Sequence, residues 1–502
     1  MKTTSNDPAC FPFENSYASL PERFYVRVHP TPVPNPALIR INRGLAEHLG
    51  LDPDYLASPG GVEIISGNRV PPGAEPLAMA YAGQQFGRLV PRLGDGRALL
   101  LGEVIDACGR RRDIQLKGSG RTPFSRSGDG RAWIGPVLRE YLVSEAMAAL
   151  NIPTTRALAA ISTGELILRD RGLPGAIIAR VAASHIRVGT FQYFALRKDV
   201  QALKILADHV IDRHFPDARE ATNPYLCLLE YVVAKQAALI AKWMAVGFIH
   251  GVMNTDNVLV SGETIDYGPC ALMDGYDPAA VYSSIDLRGR YAYQNQPSIA
   301  RWNLASFATT LLPLLDSDID RAVEAAESVV NAFGRQFNLA WSAEFRAKMG
   351  LAEEKDGDAE LAQDLLERMA ANHADFTLTF RRLGNLSGTE DGTHPKADSA
   401  VAGLFDDAAS IREWLGKWRA RLASEKQGDL ARQSAMRATN PAYIPRNHRI
   451  EQVISAALAG DFGPFGKLAD ILSKPFDEQP ENAGYQLPPG PEEVVHTTFC
   501  GT

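Results

Sequence analysis

Cysteine is scarce in this chain and scattered along it. The five cysteines, Cys10, Cys108, Cys227, Cys270 and Cys500, are odd in number and show no Cys-x-x-Cys spacing. That pattern argues against a disulfide framework or a thiolate zinc site and fits a reducing compartment. An excess of basic charge is also missing. Lys and Arg number 52 against 59 Asp and Glu, a net charge of −7, the reverse of the footprint of a general nucleic-acid binder. Residues Met1 to Asp7 lack the apolar segment of a secretory signal and the Arg-rich, acid-poor character of a transit peptide. The most apolar stretch, Tyr225 to Phe248, is interrupted by Glu230, Lys235 and Lys242, which suits a buried globular helix and not a membrane span. The expectation is a cytoplasmic protein with neither nucleic acid nor membrane as partner. No internal repeat is present.

The chain has 502 residues, 45% of them hydrophobic and 22% charged. This is the composition of an ordinary globular protein, and the length exceeds one comfortable core. Residues 1–75 are rich in proline, with Pro30, Pro32, Pro34, Pro36 and Pro53 breaking any long element, and read as an extended arm lying across the body. From Ala78 the texture changes. Asp95-Gly96 lies between strand-like runs and signals a hairpin, and the runs Ala98 to Val104 and Arg112 to Lys117 pair across a turn near Cys108-Gly109. Gly135-Pro136 opens a helix through Glu140 and Glu145. Strand-like runs follow near Leu158 to Ile161 and from Gly175 to Ala182. Residues 76–190 therefore form a β-rich lobe and residues 191–385 a helical one, in which Asn223-Pro224 caps a long helix to about Ala245. Residues 386–502 form a helical extension and tail, with a mobile loop from Asn385 to Ala400. The class is α+β.

Chemistry concentrates in the stretch from Phe248 to Asn257. His250-Gly251, an Asn257 seven residues after the histidine, and the Asp266-Tyr267-Gly268 turn are the parts a protein-kinase-like site uses to hold metal and nucleotide. The kinase base is absent, because Val252 stands two residues after the histidine. Asp256 is the nearest carboxylate able to replace it. Asn257 and Asp266 offer the oxygen ligands that magnesium requires, while His250 braces the loop. Lys117 ends a strand, and a carboxylate on the following helix, Glu140 or Glu145, would hold it against phosphates. Arg180 lies in an apolar strand, where burial is costly unless it meets an anion. Phosphate and an internal carboxylate are both open as that anion. Arg187 offers a second guanidinium. Gly94, Gly96 and Arg97 allow close backbone approach to a ligand, or serve the turn alone. Asp274 and Asp277 read as turn formers.

Several blocks in one order resemble the selenoprotein O family of kinase-like proteins that transfer AMP to protein hydroxyls. They are Tyr81 to Gly87, Leu93 to Ala98, Gln115 to Arg126, Gly247 to Asn257, Thr264 to Pro269 and Asn295 to Pro297, and the likeness runs from Tyr17 to the tail. It implies a two-lobe kinase-like fold with the nucleotide between the lobes, flipped so that its α-phosphate faces the substrate. It implies that Lys117 held by Glu140, Arg180 and Arg187 bind phosphates. Gly94, Gly96, Arg97, Asp129 and Gly130 fall on the family's nucleotide-binding positions. Asn257 and Asp266 would hold magnesium, or manganese in its place, and Asp256 would be the general base. The chain departs from the family at Gln84, where the family has histidine. Cys500 matches the family's near-terminal selenocysteine or cysteine, but the second cysteine of some bacterial relatives is matched by Tyr282, with Cys270 merely nearby.

The leading expectation is a protein adenylyltransferase acting with ATP on Ser, Thr or Tyr hydroxyls of proteins and releasing pyrophosphate. The alternatives are a phosphotransferase with a shifted base and a nucleotide-binding pseudokinase scaffold, for which Val252 is the argument.

Overall fold

Alternation along two neighbouring strands organises the molecule. In the computed structural model, which describes residues 11–389 and 395–499, the strands are β1 (Tyr25–Arg27), β2 (Ala37–Ile41), β3 (Leu77–Met79), β4 (Gly83–Gln85), β5 (Arg88–Val90), β6 (Ala98–Ile105), β7 (Arg111–Lys117), β8 (Ala132–Trp133), β9 (Arg156–Leu168) and β10 (Gly172–Ala182). Eight of them form one antiparallel sheet in the order β1-β3-β6-β7-β10-β9-β2, with β8 added beside β10. Strands β4 and β5 form a separate hairpin. Pairing of Arg180 with Gln115 and of Ile178 with Lys117 sets the register of the centre. Because side chains alternate between faces, Asp113, Gln115, Lys117 and Arg180 share one face. Ile114, Leu116, Ile177 and Val181 go to the other.

That second face is covered by α1 (Arg43–His48), α2 (Pro53–Ala57) and α3 (Pro59–Ile65), whose segment contributes Leu45, Leu56, Ile64 and Ile65 to a common buried cluster. Residues 25–65 are therefore not an extended arm. They supply both edge strands, β1 and β2, and the helices that cap the sheet. The prolines misled the sequence reading because two of them start helices. Asp52 and Ser58 accept from the backbone N–H groups of Asp54 and Gly61, with Pro53 and Pro59 at the first helical turn, where a missing N–H costs nothing. Asp95-Gly96 is a second correction. The hairpin lies earlier, at β4 and β5, and turns through Phe86 and Gly87, both at positive φ. Asp95 instead ties its loop to β3, accepting from Met79 N at 3.1 Å while its own N–H donates to Met79 O at 3.0 Å.

Helix α4 (Ile134–Ala149) packs Val137, Leu138, Tyr141 and Leu142 into the core shared by the functional face of the sheet and the helical region. Next come α5 (Val188–Ala195), α6 (Val200–His214) and α7 (Pro224–Ala245), the last capped by Asn223, which accepts from Leu226 N at 3.1 Å. By length and composition α7 is apolar enough to cross a membrane. Here it packs between α8 (Gln296–Leu315) and α9 (Ile319–Met349) with Leu229, Val233, Ala237 and Ile240 buried. The stretch expected as a loop from Asn385 to Ala400 gives way at Pro395 to a helix, Pro395–Ala402. Two C-terminal helices, Asn447–Leu458 and Gly463–Leu472, return to α4. There Arg139 bonds Glu451 at 2.5 Å and Tyr141 meets Phe465 edge-on. Asp274 is more than a turn former, since buried Arg446 bridges it to Asp375. Asp277 does form a turn, accepting from Ala279 N. Cys10 and Cys500 lie outside the described residues.

Lys348 of α9 is 3% exposed and sits 4.3 Å from the Phe380 ring centroid. Burial pushes its pKa down to about 7. Below that pH the folded state carries a desolvated charge; between there and the ordinary lysine value only the unfolded state holds the proton, so stability rises with pH. Lys348→Met is expected to stabilise by about 3 kcal/mol at pH 6, net of the lost cation–π contact. The gain in Tm should shrink as pH rises above 7. A gain unchanged from pH 6 to 10 would contradict this reading.

Candidate active site

Three cations meet one carboxylate at the floor of a cleft of about 990 Å³ between the sheet and the helical region. Asp266 Oδ1 accepts from Lys117 Nζ at 2.8 Å and Arg180 Nη1 at 2.7 Å, and Oδ2 accepts from Arg187 Nη1 at 2.7 Å. Behind them Glu140 takes Lys117 at 2.7 Å and Arg180 at 3.0 Å. Glu145 points elsewhere, to Arg156 and the N–H of Ala157, so of the two carboxylates left open by the sequence it is Glu140 that meets Lys117. Burial raises the pKa of Asp266, but Lys117, Arg180 and Arg187 more than offset it and hold the group well below the carboxylate range. The same balance, with Lys117 and Arg180, lowers Glu140. Breaking a buried pair of this kind by removing one partner costs roughly 3–5 kcal/mol, because a charge is left unpaired.

Local structure explains the convergence. Lys117 is the last residue of β7, Arg180 lies on β10 opposite Gln115 and diagonal to Lys117 on the same face, and Arg187 caps the start of α5. Gln115, two residues before Lys117 on the same face, accepts from Arg180 Nε at 2.6 Å and donates to Asp95 at 3.3 Å. Burial pushes Asp95 up to about 6. Arg187 also lies over the Tyr81 ring, 4.8 Å from its centroid, and donates to the backbone carbonyl of Asp256. Asp266 itself has φ of 63°, a left-handed conformation that Asp tolerates better than most residues.

The loop after Phe248 is braced by His250. Its Nε2 donates to Ile265 O at 2.9 Å and its Nδ1 accepts from Val252 N at 3.3 Å, which a neutral ring protonated on Nε2 satisfies. Burial lowers its pKa, so the ring stays neutral. Asp256 follows in a single 3-10 turn, Thr255–Asn257. Its Oδ2 accepts from Gln85 Nε2 at 3.1 Å, and its Oδ1 is buried with no partner. Burial raises this carboxyl's pKa, and the Gln85 hydrogen bond and Arg187 offset only part of that. A carboxylate with one desolvated, unpaired oxygen at a cleft wall is chemically suited to accept a proton. Asn257 donates its amide to Val252 O at 2.9 Å, and both Asn257 and Asp266 line the cleft.

Gly94, Gly96, Arg97, Asp129 and Gly130 line this cleft too. Gly94 has φ of 74°, and a Cβ there would stand 2.3 Å from the Phe124 ring, so it also serves packing of the Gly118–Arg131 loop over residues 93–97. Asp129 pairs with Arg169 at 2.7 Å. The structure thus brings every anticipated site residue to one cleft. It adds Gln85, Tyr81 and Asp95 to the cleft and Gln115 behind it; all four lie in the blocks Tyr81 to Gly87, Leu93 to Ala98 and Gln115 to Arg126, and Gln115 is further marked by its place two residues before Lys117 on a strand.

Residues 9–473 match the family model described as protein adenylyltransferase SelO. The chain is similar to proteins named protein nucleotidyltransferase YdiU: 61% identical to that of Rhodopseudomonas palustris (strain BisB5), covering 98% of this chain and 99% of that protein. It is 60% identical to that of Bradyrhizobium sp. (strain ORS 278), covering 98% and 99%, and 59% identical to that of Rhizobium etli (strain CIAT 652), covering 98% of each.

Gly83 makes room for Asp256, because a Cβ there would lie 2.3 Å from Asp256 Oδ1 and 2.7 Å from its Cγ. Gly83→Ala is expected to displace the carboxylate and lower the rate of nucleotidyl transfer about a hundredfold, the scale set by an ångström of misplacement. Nucleotide affinity by calorimetry should hardly change. An unaltered rate would show that the position of Asp256 is immaterial.

Proposed function

This chain belongs to the protein adenylyltransferase SelO family and is a nucleotidyltransferase; from that premise we propose that it transfers AMP from ATP to Ser, Thr or Tyr hydroxyls of protein substrates, releasing pyrophosphate. The observation that carries this reading is the pairing of an intact phosphate-binding floor with a displaced base. Lys117, Glu140 and Asp266 meet in one ion cluster, the residue types that a kinase-like site uses for phosphate and metal, yet Val252 stands two residues after His250 and the unpaired buried carboxylate oxygen of the loop belongs to Asp256. A phosphotransferase would want its base beside the γ-phosphate. A base four residues further on suits a nucleotide turned so that the α-phosphorus faces the acceptor.

In this proposal the triphosphate takes over the cations now held by Asp266. Three positive groups face two carboxylates in the cluster, so a surplus of positive charge greets the anion. Arg180 and Arg187 suit bidentate phosphate contacts and Lys117 a point contact. Gly94, Gly96, Arg97, Asp129 and Gly130 would shape the rest of the nucleotide site. Asn257 and the released Asp266 form an oxygen donor pair that fits magnesium or manganese, which would supply charge neutralisation at the phosphates. Asp256 takes the proton of the acceptor hydroxyl. The pseudokinase alternative draws on Val252 alone, and the free Asp256 oxygen speaks against it.

ATP labelled at the α-phosphorus is expected to label a protein acceptor, while γ-labelled ATP leaves it unlabelled; the reverse would favour a phosphotransferase. Asp256→Ala should cut transfer by about 10²–10⁴ with ATP binding retained, and full activity in that variant would remove Asp256 as base. Asn257→Ala should raise the magnesium concentration needed for half-maximal rate. An unchanged requirement would contradict its role as ligand.

A further inference from the structure

The hairpin formed by β4 and β5 crosses from the sheet side to the loop that carries Asp256, and its contacts there are polar and specific. Gln84 N donates to Thr255 Oγ1 at 2.7 Å and Phe86 N to Asn254 Oδ1 at 3.0 Å. Tyr291 OH reaches the same Asn254 oxygen at 2.6 Å, and Thr255 Oγ1 donates to Gln192 at 2.6 Å. Backbone and side chains thus fix the two residues that precede Asp256. Between the two backbone bonds, the side chain of Gln85 reaches Asp256 Oδ2 at 3.1 Å. An ionised carboxylate only accepts, so the atom facing it is the amide NH₂.

We propose that Gln85 is the positioning residue of the base: its amide holds Oδ2 and so fixes the rotation of the Asp256 carboxylate, whose Oδ1 packs against Gly83. This rests on the reading of Asp256 as base. The hydroxyl gives its proton to the Asp256 carboxylate as its oxygen bonds the α-phosphorus, and the bond from that phosphorus to the bridging oxygen breaks, pyrophosphate leaving with the electron pair. Gln85 exchanges no proton. It sets where the carboxylate stands, which counts because placing a catalytic group within an ångström is worth about a hundredfold in rate. Gly83 complements it, since Oδ1 packs into the space that a Cβ at residue 83 would fill.

Gln85→Met keeps the length of the side chain and removes the donor. The expected result is a fall in kcat of roughly ten- to a hundredfold, with KM for ATP and calorimetric ATP affinity within twofold of wild type and Tm unchanged. A structural or nucleotide-binding role would move KM or Tm instead. The decisive comparison is the double variant Gln85→Met/Asp256→Ala. If Gln85 acts only through the base, its loss has no further effect once Asp256 is gone. An additional tenfold loss in the double variant, a raised KM with kcat intact, or wild-type kcat in Gln85→Met while Asp256→Ala is inactive would each overturn the proposal. Wild-type activity in Asp256→Ala would instead sink the assignment of the base and this proposal together, so the two failures are told apart by that single variant.

Discussion

Everything in the cleft depends on the ion cluster around Asp266. Cations from a strand end, a neighbouring strand and a helix start converge on one carboxylate of a loop from the helical region, so the sheet and the helices are joined by charge as well as by the shared core. Burying such a cluster is costly unless each member is paired and hydrogen-bonded. Glu140 and Gln115 provide that second layer for Lys117 and Arg180, and α4, which carries Glu140, is itself pinned from behind by the C-terminal helices through Arg139 and Glu451. Chain regions far apart in sequence thereby set the position of one lysine.

Placed beside this rigid floor, the Asp256 loop is held by a different set of contacts. His250 locks it to the Asp266 turn, and the β4–β5 hairpin grips Asn254, Thr255 and Asp256 in succession. One part of the site is therefore built to hold negative charge and another to leave a carboxylate oxygen without a partner. In the proposed reaction the anion is bound by the first part and a hydroxyl is activated beside the second, which would give this loop a role despite valine at the kinase base position.

Much of this was legible in the sequence where the information is local. The strand ending at Lys117, the capped helix from Asn223-Pro224, and the spacing of His250, Asn257 and Asp266 are short-range patterns, and Lys117, Asn257 and Asp266 line the cleft. Arg180 was readable as a buried cation in need of an anion, with phosphate and a carboxylate both open, and the structure pairs it with the carboxylates of Glu140 and Asp266. The misreadings have physical causes. Proline counts suggested an arm because proline breaks helices internally, but at a first turn it starts them, as Pro53 and Pro59 do. Asp95-Gly96 suggested a hairpin by dipeptide chemistry, whereas its aspartate is used to pin the loop to β3. The contact between Gln85 and Asp256 spans 171 residues of chain and leaves no periodic trace in either segment.

The central claim is that the phosphate floor presents the α-phosphorus to a hydroxyl beside Asp256. Intact-mass measurement of an acceptor protein after incubation with the enzyme, ATP and magnesium tests it most directly. The account predicts an increase equal to one adenylyl group per modified hydroxyl, and an increase equal to a phosphoryl group would contradict it.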